Sequence, residues 1–373
     1  MKKYFTLIIL IILSIAYQSA SGIFWNKALG PYGGTIFNFV ETSQGLYAAS
    51  TYCLYSTNDN GNSWTKIDFQ GASIRELVRC GDGKLYTSCE GKLMVSNNNG
   101  STWSNIATGL LSDANIKYTR RLNSGNIITI SHRSHQYNKL FRLDTGNTVW
   151  NLIGDAANLH LCMEYSPATN YLYIGTYRQG VYRSGNDGNT FINCGLDTAT
   201  VTNLHIDARG WIFAGTMYNG LYYSTDNGGN WTQLLQDLDN ITAVYSNGSG
   251  IIYVGTLDNG IFVSTNYGQF WTELNVGLVD KYVRTFYLTS DGDMFLGQNS
   301  GGCYKWSSLL SSWEDRSNGM NSIAIKDIIR LNGYEVFALS KSKGIFYSQN
   351  FGQSWESRST SFPFGHYTPN PLN

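Results

Sequence analysis

The sequence predicts an all-β propeller of eight four-stranded blades, and three observations lead there. The first is a short phrase that keeps returning. It reads Thr57-x-Asp59-x-Gly61-x-Ser63-Trp64, then Ser96-x-Asn98-x-Gly100-x-Thr102-Trp103. Further copies are Ser184-x-Asn186-x-Gly188-x-Thr190-Phe191, Ser224-x-Asp226-x-Gly228-x-Asn230-Trp231, Ser264-x-Asn266-x-Gly268-x-Phe270-Trp271 and Ser348-x-Asn350-x-Gly352-x-Ser354-Trp355. The second is the spacing. With degenerate copies ending at Trp150 and Trp313, the aromatic ends fall between 39 (Trp64 to Trp103) and 47 (Trp103 to Trp150) residues apart. A period near forty means one supersecondary unit repeated. The third is composition. Forty glycines, 26 tyrosines and 10 tryptophans accompany only five prolines, the balance of a protein built from aromatic strands and tight turns.

Each unit resolves into four short strands, A to D. In the clearest, strand A is Val201 to Ile206 and the run 207–210 turns the chain. Strand B covers 211–216, the run 217–220 turns it again, and strand C is Leu221 to Ser224. The phrase makes the C–D hairpin, and strand D starts at Trp231. Short apolar runs separated by Gly, Asn and Asp are the hairpin signal. Counting from Thr35 gives eight units, with D strands starting near Trp64, Trp103, Trp150, Phe191, Trp231, Trp271, Trp313 and Trp355. Four-stranded units repeated about an axis make a propeller. Trp25 is read as an N-terminal strand that seals the ring against the last blade. Seven blades plus an accessory unit is the alternative.

Within the phrase each residue has a mechanical role. The Asp or Asn side chain accepts hydrogen bonds from its own turn, Gly permits a positive φ, and the aromatic residue buries area between blades. A calcium loop is disfavoured, because no bidentate Glu follows at the required spacing.

The N-terminus carries Lys2 and Lys3, an apolar run from Phe5 to Tyr17, and the small residues Ser19 to Gly22. This is the pattern of a signal peptide, and the run is short for a membrane span of about 20 residues. The expected organisation is a signal peptide over 1–22 and a single propeller over 23–373, exported to the periplasm or beyond. The membrane is a partner only if that peptide stays uncleaved. Charged residues make up 14% of the chain and the net charge is zero, which disfavours nucleic acid as a partner. Six scattered cysteines (Cys53, Cys80, Cys89, Cys162, Cys194 and Cys303) read as buried thiols rather than a disulfide framework, and no metal-ligand spacing or cofactor motif is present.

The phrase, preceded by Gly220-Leu-Tyr-Tyr-Ser224 and Gly260-Ile-Phe-Val-Ser264, resembles the Asp-box, or BNR repeat. Propellers of that kind include sialidases, xyloglucan-cleaving glycoside hydrolases, sortilin-type receptors and the photosystem II assembly factor. The resemblance implies that Asp59, Trp64, Asn98, Trp103, Asn186, Phe191, Asp226, Trp231, Asn266, Trp271, Asn350 and Trp355 serve the fold and lie away from the ligand face. A sialidase-like site would need several arginines for a carboxylate. Arg75, Arg79, Arg120 and Arg284 fall on inner A strands, but the Arg-Ile-Pro motif of that family is absent. A xyloglucanase-like site would need two carboxylates facing across a cleft. Glu76, Glu164, Asp207 and Asp327 are the candidates near the channel, and no motif links them. The B–C connections add His132, Arg133, His135, Tyr177, Arg178 and Tyr218, aromatic and hydrogen-bonding groups suited to a sugar or a peptide. The expected function is binding or scaffolding of a carbohydrate or protein ligand on that loop face, with glycoside hydrolysis as the alternative.

Overall fold

In the computed structural model, residues 35–357 are described except for 51–52, 68–73, 75, 90–91, 108–114, 133–137, 154–159, 279, 318–324, 331–335, 341–343 and 350–355. The signal-peptide expectation, Trp25, Asn350 and Trp355 lie outside the described residues. The chain forms eight four-stranded antiparallel sheets, each built from one continuous stretch in A-B-C-D order. Every expected unit is therefore present. The D strands begin one residue beyond the aromatic mark in most units, as in Thr65–Ile67 and Thr232–Leu235.

The ring, however, holds seven blades, and the eight-bladed expectation is corrected here. The inner strands are Ile36–Thr42, Leu77–Arg79, Asn115–Arg121, His160–Ser166, Val201–Ile206, Ile241–Ser246 and Val283–Leu288. The seventh packs directly on the first. Phe39 meets Phe295 at 5.9 Å between ring centroids. The Trp64 indole N–H donates to the Arg316 carbonyl at 2.7 Å. Ser290 donates to the Glu41 carboxylate through both its N–H and its hydroxyl, each at 2.8 Å. The eighth sheet (Ile325–Arg330, Val336–Ser340, Gly344–Ser348 and Glu356–Ser357) follows the closed ring. Counting repeats thus gave the number of units, while the ring size is set by where the first inner strand finds its seat.

That seat is a glycine. At four of the seven joints the first residue of an inner strand is β-branched and presses on a glycine in the second strand of the preceding blade. A Cβ on Gly175 would sit 2.7 Å from Val201 Cγ1, and one on Gly215 would sit 2.4 Å from Ile241 Cγ2. On Gly255 it would meet Val283 Cγ1 at 2.3 Å, and on Gly297 it would meet Ile36 Cγ2 at 2.8 Å. The last contact is the ring closure, made by the same chemistry as the internal joints. Ile36, Val201, Ile241 and Val283 are all fully buried. Thr202 and Thr242 add hydroxyl hydrogen bonds across their joints, to Ile241 O at 2.5 Å and Val283 O at 2.6 Å.

The repeated phrase acts as expected in five described hairpins. The Ser224 hydroxyl donates to Asp226 Oδ1 (2.8 Å) and accepts from the Gly228 N–H (2.9 Å), while the Asn230 N–H donates to Asp226 Oδ1 (2.8 Å). The same three bonds recur around Asp59, Asn98, Asn186 and Asn266. Hydrogen bonds from Ser63 and Thr57 hold Asp59 down at about 2. The residue before each Gly also takes a positive φ, as in Asn60 (60°) and Asn227 (61°). Two consecutive left-handed residues make a tight turn that Asn tolerates. In some units the aromatic residue then ties its blade to the preceding one: Trp231 Nε1 donates to Cys194 O at 2.7 Å, and Trp313 Nε1 to Leu274 O at 2.8 Å. Trp103 and Trp271 instead donate to Gly100 O and Gly268 O of their own hairpins. Trp231 is half-buried, whereas Trp64, Trp150 and Trp313 are buried. Cys53, Cys80, Cys162 and Cys303 are buried, and Cys194 is partly exposed.

Blade 4 departs from the pattern. Its inner strand starts with His160 where blades 1, 5, 6 and 7 use Ile or Val. The ring is buried, its Nδ1 has no hydrogen-bond partner, and burial pushes its pKa down to about 4.

Two predictions follow from these joints. Gly215→Ala and Gly297→Ala should each cost about 1–3 kcal/mol as overpacking, measured by urea unfolding. Gly81→Ala, with open space around it, should stay within about 0.5 kcal/mol. A neutral Gly297→Ala would contradict closure between blades 7 and 1. His160 is depressed from 6.5 to about 4, so the unfolded chain binds its proton first. Stability is then complete above pH 6.5 and declines as pH falls toward 4, by up to about 3 kcal/mol. His160→Val should remove that loss in unfolding curves taken at pH 7 and pH 4.5.

Candidate functional site

Because strands run up and down in turn, the A–B turns and C–D hairpins share one end of the ring, and the B–C connections occupy the other. A cavity of about 1030 Å³ runs along the inner strands. It reaches from Phe37 and Arg284, near the strand starts, to Ser43, Gly81, Pro167 and Ser290 in the A–B turns. The exposed Ser43, Gly81, Pro167 and Ser290 form a mouth at the end that carries the repeated hairpins, the end expected to lie away from the ligand. A second cavity of about 320 Å³ shares Asn203, Arg284 and Tyr287 with it, and adds His205 and Tyr245.

Strand pleating decides which side chains face this space. Alternate residues of an inner strand point to one side. Arg120 on blade 3 and Glu164 on blade 4 pair with equivalent positions on their second strands, Arg120 with Ile128 and Glu164 with Tyr173. They face each other across one joint. Arg120 Nη1 lies 2.7 Å from Glu76 Oε1 of blade 2, while its Nε and Nη2 lie 3.1 Å from the two oxygens of Glu164. The Thr119 N–H also donates to Glu76. One guanidinium on blade 3 thus clamps two carboxylates, one from blade 2 and one from blade 4. Burial pushes the Glu76 carboxyl up, with the Arg120 charge pulling against it. The same two carboxylates push the Arg120 guanidinium up, so it stays charged.

Around the triad the wall is mixed. Tyr118, beside Arg120, sits at φ 53° where the inner strand of blade 3 carries a bulge. A bulge re-aims a side chain, and Tyr118 lines the cavity. Across the channel, His205 lies 5.4 Å from Tyr245, ring to ring. Burial pushes the His205 pKa down, and its Nε2 is 3.3 Å from Ser246 O. Tyr287 accepts the Glu41 N–H through its hydroxyl at 3.1 Å. Arg284 stacks over Tyr282 at 4.2 Å and donates to Asn299 Oδ1 at 2.7 and 3.0 Å. Arg79 is exposed at the mouth, with its Nη1 3.4 Å from Glu41 O.

The structure brings together four of the residues singled out in the sequence: Glu76, Arg79, Arg120 and Glu164. Arg284 lines the same cavity. Asp207 belongs to the A–B turn of blade 5. It pairs with Arg209 at 2.5 Å and accepts from Arg209 N, Trp211 N and the Ser246 hydroxyl. Its oxygens are committed to that turn and to the neighbouring blade. Asp327 lies in the inner strand of the eighth sheet, past the closed ring. Arg75, Arg133 and His135 lie outside the described residues, and His132 ends a strand whose backbone alone is described there. Tyr177, Arg178 and Tyr218 occupy B–C turns, at the end opposite the cavity mouth, with Arg178 over the Tyr177 ring at 5.1 Å. Tyr118, His205, Tyr245 and Tyr287 were not singled out. The period of two along the inner strands would have found the last three, whereas Tyr118 faces the cavity only because of its bulge.

No protein-family model and no curated protein sequence matches the chain. Solved structures do. One is an ancestral GH74 enzyme, at TM-score 0.67 and 15% identity, covering 89% of this chain and 56% of that one. Another is the extracellular domain of a one component system from B. thetaiotaomicron, at TM-score 0.60 and 15% identity, covering 89% and 53%. A third is YCF48 bound to D1 peptide, at TM-score 0.59 and 16% identity, covering 75% and 93%. The chain spans about half the length of the ancestral GH74 enzyme and of the extracellular domain. At such identities the likeness is one of fold, the seven-bladed propeller of four-stranded blades.

Removing the clamp leaves two partly buried carboxylates facing each other. Arg120→Ala should cost about 3–5 kcal/mol at pH 7. The cost should shrink at pH 4, where the orphaned carboxyls take up protons, as read by urea unfolding at both pH values.

Proposed function

We propose that this protein is an exported, non-catalytic Asp-box propeller whose central cavity binds a carbohydrate or protein ligand. The observation that carries the reading is the clamp. Glycoside hydrolysis needs one carboxyl free to give a proton and another free to attack or to activate water. Here Glu76 and Glu164 are held by Arg120, with the second Glu76 oxygen taken by the Thr119 N–H, and Glu41, the third carboxylate of the cavity wall, accepts from Ser290. What remains accessible is a binding surface: the exposed Arg79 at the mouth, and phenol and imidazole groups inside. A rigid ring holding such groups suits recognition. The likeness to a propeller described as bound to a peptide, and to a domain described as extracellular, supports the same reading. The expected signal peptide agrees with it.

Hydrolysis is kept as the second reading, because two GH74 structures share the fold at TM-scores 0.67 and 0.66. One experiment separates the two. Glycan and peptide arrays, run beside reducing-sugar release on polysaccharides, should give binding without release. For a ligand held in the central cavity, Arg79→Ala and Arg284→Ala should weaken binding about tenfold or more, the loss of a charge-assisted hydrogen bond. Release of sugar that vanishes in Glu76→Gln or Glu164→Gln would replace binding by hydrolysis.

A further inference from the structure

A second cleft lies on the other end of the ring, between the B–C rims of blades 5 and 6. Its volume is about 620 Å³. Tyr218 stands at its edge with 61% of its surface exposed, on a turn pinned by a hydrogen bond from Asn219 N–H to the Thr216 hydroxyl at 2.9 Å. The remaining wall includes Asn219, Gln233, Gln236, Asp237 and Asn259. Gln233 Nε2 donates to Asn219 O at 2.8 Å, and Asn275 Nδ2 to Asn259 O at 3.2 Å, so the rims of the two blades are tied from below.

The chemistry of this wall is selective. It contains no Lys, Arg or His, so nothing in it compensates a ligand anion, and Asp237 and Asp239 repel one. It offers side-chain amides, which donate and accept, and carboxylates, which accept. Adjacent hydroxyls of a sugar need that mixture, because each both donates and accepts. A bare tyrosine face beside them matches the apolar C–H face of a pyranose ring. We propose that the cleft around Tyr218 is a subsite for a neutral oligosaccharide, separate from the central cavity and not dependent on what that cavity binds.

The test uses the full chain and isothermal titration with cellohexaose, xylohexaose and mannohexaose, and with hexagalacturonate as the acidic comparison. At least one neutral hexasaccharide should bind. Tyr218→Ala should weaken it tenfold or more, Asn259→Ala and Gln236→Ala should weaken it several-fold, and Tyr218→Phe should keep most of the affinity. Hexagalacturonate should bind at least tenfold more weakly. Arg79→Ala and Arg284→Ala, which probe the central cavity, should leave this binding unchanged. Thermal unfolding of each variant checks that the ring is intact. The assignment is overturned if no neutral hexasaccharide binds, if Tyr218→Ala binds like the parent chain, or if the acidic sugar is preferred. Loss of binding in Arg79→Ala also overturns it and moves the sugar to the central cavity.

Discussion

The close approach of a β-branched side chain to a bare glycine backbone governs this structure. Val201 on Gly175, Ile241 on Gly215, Val283 on Gly255 and Ile36 on Gly297 are the same contact in four joints. A side chain at the glycine would hold adjacent blades apart. Without one, the inner strand slides under its neighbour, and the hydrophobic clusters run continuously from blade to blade. The cluster holding Ile36, Phe39 and Trp64 of blade 1 includes Phe295 and Cys303 of blade 7. Hydrophobic burial drives the packing, and the seat fixes its distance and so the radius of the ring.

That radius brings the inner strands close enough for side chains from three blades to meet. Glu76 and Arg120 are 44 residues apart, as are Arg120 and Glu164, so the triad exists only because neighbouring inner strands are held at packing distance. Its energetics are those of buried ions. Each charge loses hydration, and mutual attraction offsets the loss only while all three remain. Such an arrangement adds rigidity and specificity to the channel wall more than stability. It also takes two acidic groups out of proton-transfer chemistry.

The unit was legible in the sequence because its signals are local: the Ser–Asx–Gly turn, the trailing Trp and the short alternating strands all lie within a forty-residue window. The ring size was not legible, because the sequence points past it. Gly-Thr at 175–176, 215–216 and 255–256 has its counterpart in Gly297-Gln298, and Ile325 follows Gly297 at the spacing at which Val283 follows Gly255, so only the folded chain shows Ile36 in that seat. Periodicity counts units but is silent on which two are joined last. The site was legible in part. Arg79, Arg120 and Arg284 were placed on inner strands and do line the cavity. The sequence could not show that Arg120 is already occupied, since its partners come from other blades. Nor could it show Tyr118, whose direction depends on one bulged residue.

Among the described residues, every sheet is made from a single stretch, and no strand from one end of the ring completes a sheet at the other. Six joints are bridged by the chain from one blade to the next, and the seventh is held, among the described residues, by side-chain contacts and hydrogen bonds. Physically, that joint is an intramolecular complex. Its occupancy is set by a binding constant multiplied by the effective concentration that the other six joints impose. The ring therefore has a built-in weakest line. Opening there exposes one edge of blade 1 and one of blade 7 while leaving every sheet whole, and it gives unfolding a defined starting point and direction around the ring.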